Sequence, residues 1–120
     1  MDLSHRQESG IEIFGLIGRV DLSGVAEFQN SVKQAIDAGA RKIVMDLSAT
    51  TYISSSGLGV FALVLRQLEP LGGEMVLAGA NSHVQHILQI VGFERLFRSF
   101  SDTAEAVLAL GPPGLTPPGR

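Results

Sequence analysis

The chain has 120 residues, 45% of them apolar, a formal net charge of −3 and no cysteine. This length predicts one domain with a packed core, and the missing cysteine excludes disulfides, thiolate zinc sites and thiol nucleophiles. The weakly acidic charge argues against nucleic-acid binding. Since the start shows no leader and the longest apolar run, Val60–Leu65, is far below the ~20 residues of a membrane span, we expect a soluble cytoplasmic protein.

The first third of the chain predicts a strand followed by a helix. A turn at Glu8–Gly10 allows a short strand before it, and the β-branched stretch Ile11–Ile17 predicts a strand. Apolar residues at helical spacing predict a helix over Gly24–Ala38. Ser23 is the expected N-cap of this helix, and Gly39 is expected to end it.

The remaining elements continue the alternation of strands and helices. The apolar run Lys42–Leu47 is typical of a central parallel strand, and a stretch rich in Ser and Thr follows it. The later elements are expected as follows: a helix over about Gly57–Glu69, a strand over Glu74–Ala78, a helix capped by Asn81 or Ser82 and closed by Gly92, a short edge strand over Leu96–Phe100, and a last helix from Asp102 to about Leu110.

This order predicts an α/β domain. Strands that alternate with helices need crossover connections, so the core of the sheet should be largely parallel, and the opening strands can be antiparallel. We expect a single domain over residues 1–110. Residues 111–120 hold four of the five prolines of the chain, and this composition predicts a disordered or extended tail.

The segment Thr51–Phe61 carries the strongest functional signal. It follows a buried strand and places the serines of Ser54–Ser56 at a helix start, where free N–H groups and the helix dipole favour negative charge. Gly57 and Gly59 follow in the first turn, although each glycine costs about 0.8–1.0 kcal/mol relative to alanine in a helix interior. The two glycines indicate backbone that another surface approaches closely.

Two interpretations of this segment stay open. In the structural one, a serine caps the helix and the glycines fit under a neighbouring strand. In the functional one, a phosphate on a serine adds about −1.5 to −2 charges, which the helix start tolerates. A docked acidic or apolar surface would not tolerate that charge, so the segment suits a switch that changes binding and leaves the fold intact.

Residues for catalysis or metal binding do not form a recognisable set. His83 and His86 lie three residues apart on one predicted helix, but no third ligand lies within it, so we interpret them as part of a solvated face. The carboxylates show no paired spacing, and the chain has neither a Gly-x-Ser-x-Gly elbow nor a phosphate-binding glycine loop. We therefore expect no metal, no cofactor and no enzymatic activity.

Several motifs together resemble one family. Asp46–Ser48 followed by Ile53–Gly59 resembles the signature of the STAS domain (sulfate transporter and anti-sigma factor antagonist), and Gly18–Leu22 resembles the loop before its first helix. Two further matches are Gly72–Met75 and Val91–Phe93. The resemblance is closest to single-domain bacterial anti-sigma factor antagonists. It implies a mixed, mostly parallel sheet of four to five strands, with about four helices packed largely on one side.

The same resemblance implies partner switching. Such antagonists bind an anti-sigma factor that is itself a serine kinase, which frees the sigma factor, and phosphorylation of a serine at a helix N-terminus ends the binding. On this sequence the matching acceptor is Ser55. The matching partner-binding positions are Asp21, Leu22, Ser54, Ser56, Gly57, Leu58 and Gly59.

One departure from the family pattern leaves alternatives open. Ser54 stands where regulated antagonists commonly have Asp, so modification of Ser54 or Ser56 is a second possibility beside Ser55. The missing Asp also suits a constitutive scaffold subunit, for example the STAS partner of a lipid-transport ATPase. A third hypothesis is a small enzyme that binds phosphate with the serine-rich loop. The motif, however, contains no general base that could activate a hydroxyl.

Overall fold

The hairpin that opens the chain is set by its two turn residues. Ser9 and Gly10 both have positive φ, 54° and 75°, which a two-residue type I′ turn requires at both of its central positions. The turn joins β1 (Asp2–Glu8) to β2 (Ile11–Val20), and the two strands pair antiparallel over the whole of β1. The opening strands are therefore antiparallel, as the sequence allowed.

The computed structural model describes residues 1–111. The predicted tail over residues 111–120 thus lies, apart from its first residue, outside the described residues. The elements after β2 are α1 (Leu22–Asp37), β3 (Lys42–Asp46), β4 (Thr50–Ile53), α2 (Ser55–Leu68), β5 (Glu74–Ala78), α3 (Ser82–Ile90), β6 (Ser99–Phe100) and α4 (Thr103–Leu110). Short 3₁₀ turns follow α2 and α3.

The strands form one mixed sheet. Within residues 1–111 it has six strands in the order β1-β2-β3-β5-β6, and β4 pairs with β2 off this path. β2 has 10 residues, so its first half pairs with β3 and its second half with β4. All pairs except β1–β2 are parallel. The prediction of a mixed, mostly parallel α/β sheet is confirmed, but the sheet has six strands where four to five were expected, because β4 adds to it.

Both faces of the sheet are covered, but unequally. In β3, Ile43 and Met45 point to the face that carries α1, α2 and α3, whereas Val44 points to the face that carries α4. On the first face, the rings of Phe28 from α1 and Phe61 from α2 meet edge to face at 5.8 Å between centroids. The helices therefore pack largely on one side, as the family resemblance implied.

β4 is the element that the sequence analysis missed. It has four residues and lies inside the hydroxyl-rich stretch, where no apolar alternation marks a strand. Thr50 opens it with a buried side chain, whose hydroxyl donates a hydrogen bond of 2.6 Å to the carbonyl of Leu16 on β2. The polar residue is satisfied by the neighbouring strand, so its polarity does not exclude it from the sheet.

Several predicted boundaries were wrong. α1 begins at Leu22, two residues before the predicted start at Gly24, and β2 continues to Val20, beyond the predicted end at Ile17. α2 begins at Ser55, two residues before the predicted start at Gly57, because the capping residue is Ser54. The predicted edge strand over Leu96–Phe100 is only the two-residue β6. Leu96 and Phe97 follow a 3₁₀ turn over Phe93–Arg95, and the ring of Phe97 is buried in the core, so this stretch does not extend along the sheet.

Candidate functional site

The starts of α1 and α2 lie side by side because β2 and β4 end together. The two strands pair in parallel, with Val20 opposite Ile53 at their carboxyl ends. The backbone N–H of Ser54 donates to the carbonyl of Val20 at 2.8 Å, which continues the pairing one residue beyond β4. Each strand is followed directly by its helix, so the N-termini of α1 and α2 lie together at the carboxyl ends of β2 and β4.

The three serines at the start of α2 have different environments. Ser54 is the N-cap, with extended backbone (φ −80°, ψ 170°), and its Oγ accepts from the N–H of Gly57 at 3.4 Å. Its carbonyl accepts from the N–H of Leu58 at 3.0 Å. Ser55, the first helical residue, is exposed, and Ser56 is half-buried. Ser54 therefore has the structural role, whereas Ser55 presents its hydroxyl to solvent.

The start of α1 is capped by Asp21, so the sequence-based choice of Ser23 was wrong. Oδ1 of Asp21 accepts from the backbone N–H of Ser23 at 3.2 Å and from its hydroxyl at 2.7 Å. The side-chain bond, with the backbone bond second, holds the pKa of Asp21 below its ordinary value. The next residue, Leu22, has 79% of its surface exposed. Asp21 thus fixes a helix start that carries a solvent-facing apolar side chain.

Gly57 and Gly59 have different reasons to be glycine. A Cβ on Gly57 would lie 2.7 Å from Cγ1 of Val20 and 3.0 Å from Cγ2 of Ile53, so this glycine lets α2 pack against the ends of β2 and β4. A Cβ on Gly59 would meet no atom within 4 Å, and the residue is exposed. The structural interpretation thus accounts for Gly57 and leaves Gly59 unexplained.

The residues assigned to partner binding differ in their burial. Gly57 and Leu58 are buried, and the side chain of Leu58 belongs to the core. Asp21, Ser54 and Ser56 are half-buried. Leu22 and Gly59 are exposed, and together with the exposed acceptor Ser55 we call them the α1–α2 surface. Because the side chain of Leu58 is buried in the core, a partner at that position would contact the neighbouring backbone of α2 instead of the leucine side chain.

A cation–aromatic group on β2 and β4 was missed by the sequence analysis. Arg19 and Tyr52 are register partners, and the guanidinium carbon of Arg19 lies 4.4 Å from the centre of the Tyr52 ring. The ring of His83 stacks on the ring of Tyr52, with 6.4 Å between the two centroids. The only sequence signal was the position of Arg19 and Tyr52, one residue before the buried ends of their strands.

His83 and His86 are both exposed, which agrees with the solvated helix face expected for them. The described residues contain no group of three His, Cys, Asp or Glu side chains placed to hold a metal ion. No helix among residues 1–111 has the length and apolar character needed to cross a membrane.

The proteins that resemble this chain in sequence and those that resemble it in fold carry related names. The chain is 35% identical over 97 residues to BtrV of Bordetella bronchiseptica, named as an anti-sigma factor antagonist; the match covers 81% of this chain and 84% of BtrV. A Thermotoga maritima structure assigned to the same class superposes with a TM-score of 0.82 at 22% identity, covering 87% and 90% of the two chains. The phosphorylated form of Bacillus SpoIIAA gives 0.75 at 20% identity, covering 92% and 100%.

A family model defines the assignment for nearly the whole described chain. The model of the STAS domain matches residues 2–106, from the first residue of β1 into α4. The structural neighbours share the mixed sheet and the helix arrangement described above. The chain therefore belongs to the STAS domain family.

Proposed function

We propose that this protein is an anti-sigma factor antagonist that binds an anti-sigma factor serine kinase and is released when Ser55 is phosphorylated. The observation that carries the proposal is the exposure of Ser55, the first residue of α2, at the same end of the sheet where α1 begins with the exposed Leu22. A kinase can reach this hydroxyl without unfolding the domain. An apolar contact next to it gives a partner a reason to dock there.

The position also explains how one phosphate can end binding without harming the fold. A phosphate carries about −1.5 to −2 charges at pH 7, and the N-terminus of α2 stabilises negative charge through its free N–H groups and its dipole. A partner docked over the same residue has to bury that charge. The modification is therefore tolerated by the free protein and penalised in the complex.

The named relatives support this role. BtrV is named as an anti-sigma factor antagonist, and so is a Staphylococcus aureus protein, the anti-sigma-B factor antagonist, 27% identical over 79 residues. SpoIIAA has been solved in an unphosphorylated and a phosphorylated form. An anti-sigma factor antagonist that exists in a phosphorylated form is thus among the folds that this chain matches.

Phosphate mapping tests the proposed acceptor. The purified chain is incubated with ATP and each candidate anti-sigma factor kinase of its source organism, and the modified peptide is sequenced by mass spectrometry. We expect phosphate on Ser55, loss of incorporation in Ser55→Ala, and normal incorporation in Ser82→Ala, which changes the exposed first residue of α3. Phosphate confined to other residues, or none with any kinase, would refute the switch.

A second prediction concerns the apolar contact beside Ser55. Leu22→Ala is expected to weaken kinase binding by about tenfold, because the few residues that carry most of the binding energy each cost more than 1 kcal/mol on truncation, and Leu22 is the large exposed apolar side chain of this surface. Leu108→Ala is the matched control, since Leu108 is 82% exposed and lies on α4, at the other face of the sheet. Calorimetric titration checks both; equal affinities for the two variants would place the docking site elsewhere.

A further inference from the structure

β1 forms one edge of the sheet. Its 7 residues pair with β2 without a register shift, and in the described chain no second strand borders it. Proteins commonly protect such edges with proline, charged side chains (lysine above all), a bulge or a covering segment. The sequence of β1, DLSHRQE, has neither proline nor lysine, and its charged residues are of both signs, so a partner strand of matching charge pattern is not repelled. A regular edge of this length can accept another strand through its outer N–H and C=O groups.

A second copy of β1 can add to this edge only in certain registers. In an extended strand, alternate residues direct their N–H and C=O groups to the same edge, so an antiparallel copy must pair even positions with even and odd with odd. Every such register has a twofold axis through one residue. Near the middle of β1, that residue is Ser4, His5 or Arg6.

Charge distinguishes these three registers. An axis at His5 places Asp2 opposite Glu8 of the second copy, and an axis at Arg6 places two guanidinium groups opposite each other. Like charges directly opposite are destabilising. An axis at Ser4 instead places Asp2 opposite Arg6 of the second copy, and by symmetry this attractive pair forms twice.

We propose that β1 is a homodimerisation edge at which two copies pair antiparallel about an axis through Ser4. The pairing joins the two sheets into one. It uses the one free edge of β1 in each copy, so the assembly closes at two copies. Arg6 is exposed, and its Nη2 lies 3.4 Å from the hydroxyl of Thr103 and 3.8 Å from Oε2 of Glu8 in the same chain, an exposed ion pair that is worth little and can exchange partners. Asp2 is exposed on the same face of the sheet, four register pairs from Arg6.

Charge reversal tests the edge and its register together. Sedimentation equilibrium of the full chain is expected to show a monomer–dimer equilibrium, and Asp2→Arg or Arg6→Asp is expected to weaken it by about tenfold or more, since two pairs turn repulsive. The double variant should recover the wild-type dissociation constant. Circular dichroism confirms that each variant is folded. A chain that stays monomeric, or a dimer insensitive to the single reversals, would overturn the proposal.

A cysteine at the axis gives an independent readout. Residues directly opposite in an antiparallel pair have Cα atoms about 4.5–5.5 Å apart, within the range that a disulfide spans. Because the chain has no cysteine, Ser4→Cys introduces the sole thiol, and mild oxidation should give a disulfide-linked dimer. Ser101→Cys, at an exposed serine after β6 on the other flank of the sheet, should link much more slowly. Equal rates would contradict the axis at Ser4.

Discussion

Ser55→Asp is expected to weaken binding to the anti-sigma factor kinase by about 100-fold and to leave the unfolding temperature unchanged or slightly higher. Leaving a charge buried and unpaired at an interface costs 2–5 kcal/mol or more, and this residue belongs to the α1–α2 surface on which the partner is proposed to dock. In the free protein the same carboxylate lies on the first residue of α2, where the helix dipole stabilises negative charge. Calorimetric titration and thermal unfolding measure the two effects separately.

The opposite face of the sheet provides a matched control for this variant. Thr103 is the first residue of α4, directly after the capping residue Asp102, as Ser55 follows Ser54. Thr103→Asp adds the same charge at the first position of another helix, on the far face of the sheet, and is expected to bind the kinase as the wild type does. Ser55→Ala is expected to stay bound. Equal loss of affinity in both aspartate variants would show a general charge effect and contradict local docking.

The same variant separates the switch from a scaffold role. A constitutive subunit of a lipid-transport ATPase complex would keep its partner when Ser55 becomes Asp, because its assembly would not depend on this hydroxyl. Recovery of an ATPase subunit in equal amounts by wild type and Ser55→Asp would therefore favour the scaffold. Selective loss of a kinase would favour the antagonist.

The sequence predicted the elements whose signals are local. Asn81 accepts from the N–H of Val84 at 2.9 Å, and Asp102 accepts from the N–H of Glu105 at 2.8 Å, so both expected caps were confirmed. β5 was predicted with its observed bounds because its apolar run is flanked by Gly72–Gly73 and the next cap. Capping and apolar runs depend on a few neighbouring residues, which one sequence shows directly.

The features that the sequence could not show depend on contacts distant along the chain. Thr50 becomes a strand residue because of a hydrogen bond to Leu16, 34 positions earlier. The choice of Asp21 over Ser23 as the cap depends on where β2 ends, which is set by its pairing with β4. The burial of Leu58 likewise follows from which side of α2 meets the sheet. Local propensity does not contain this information.

Gly57→Ala is expected to destabilise the domain by about 1–3 kcal/mol, the usual cost of inserting a methyl group into a packed contact. The new Cβ would lie 2.7 Å from Cγ1 of Val20, so the start of α2 would have to move away from the ends of β2 and β4. Chemical denaturation measures the loss. Binding of the kinase should fall as well, because the same movement shifts Ser55. A variant as stable as the wild type would show that this contact relaxes freely.

Gly59 lies two residues after Gly57 on α2, and Gly59→Ala is expected to change stability in the opposite direction. Its Cβ meets no atom within 4 Å, so alanine should stabilise the domain by about 0.4–1 kcal/mol through the lower entropy of the unfolded chain. A more stable protein that nevertheless binds the kinase less tightly would show that a partner approaches the backbone at Gly59. Unchanged affinity would remove Gly59 from the α1–α2 surface. Because folding and docking make opposite demands at this residue, it separates the two explanations that the sequence left open for the glycines.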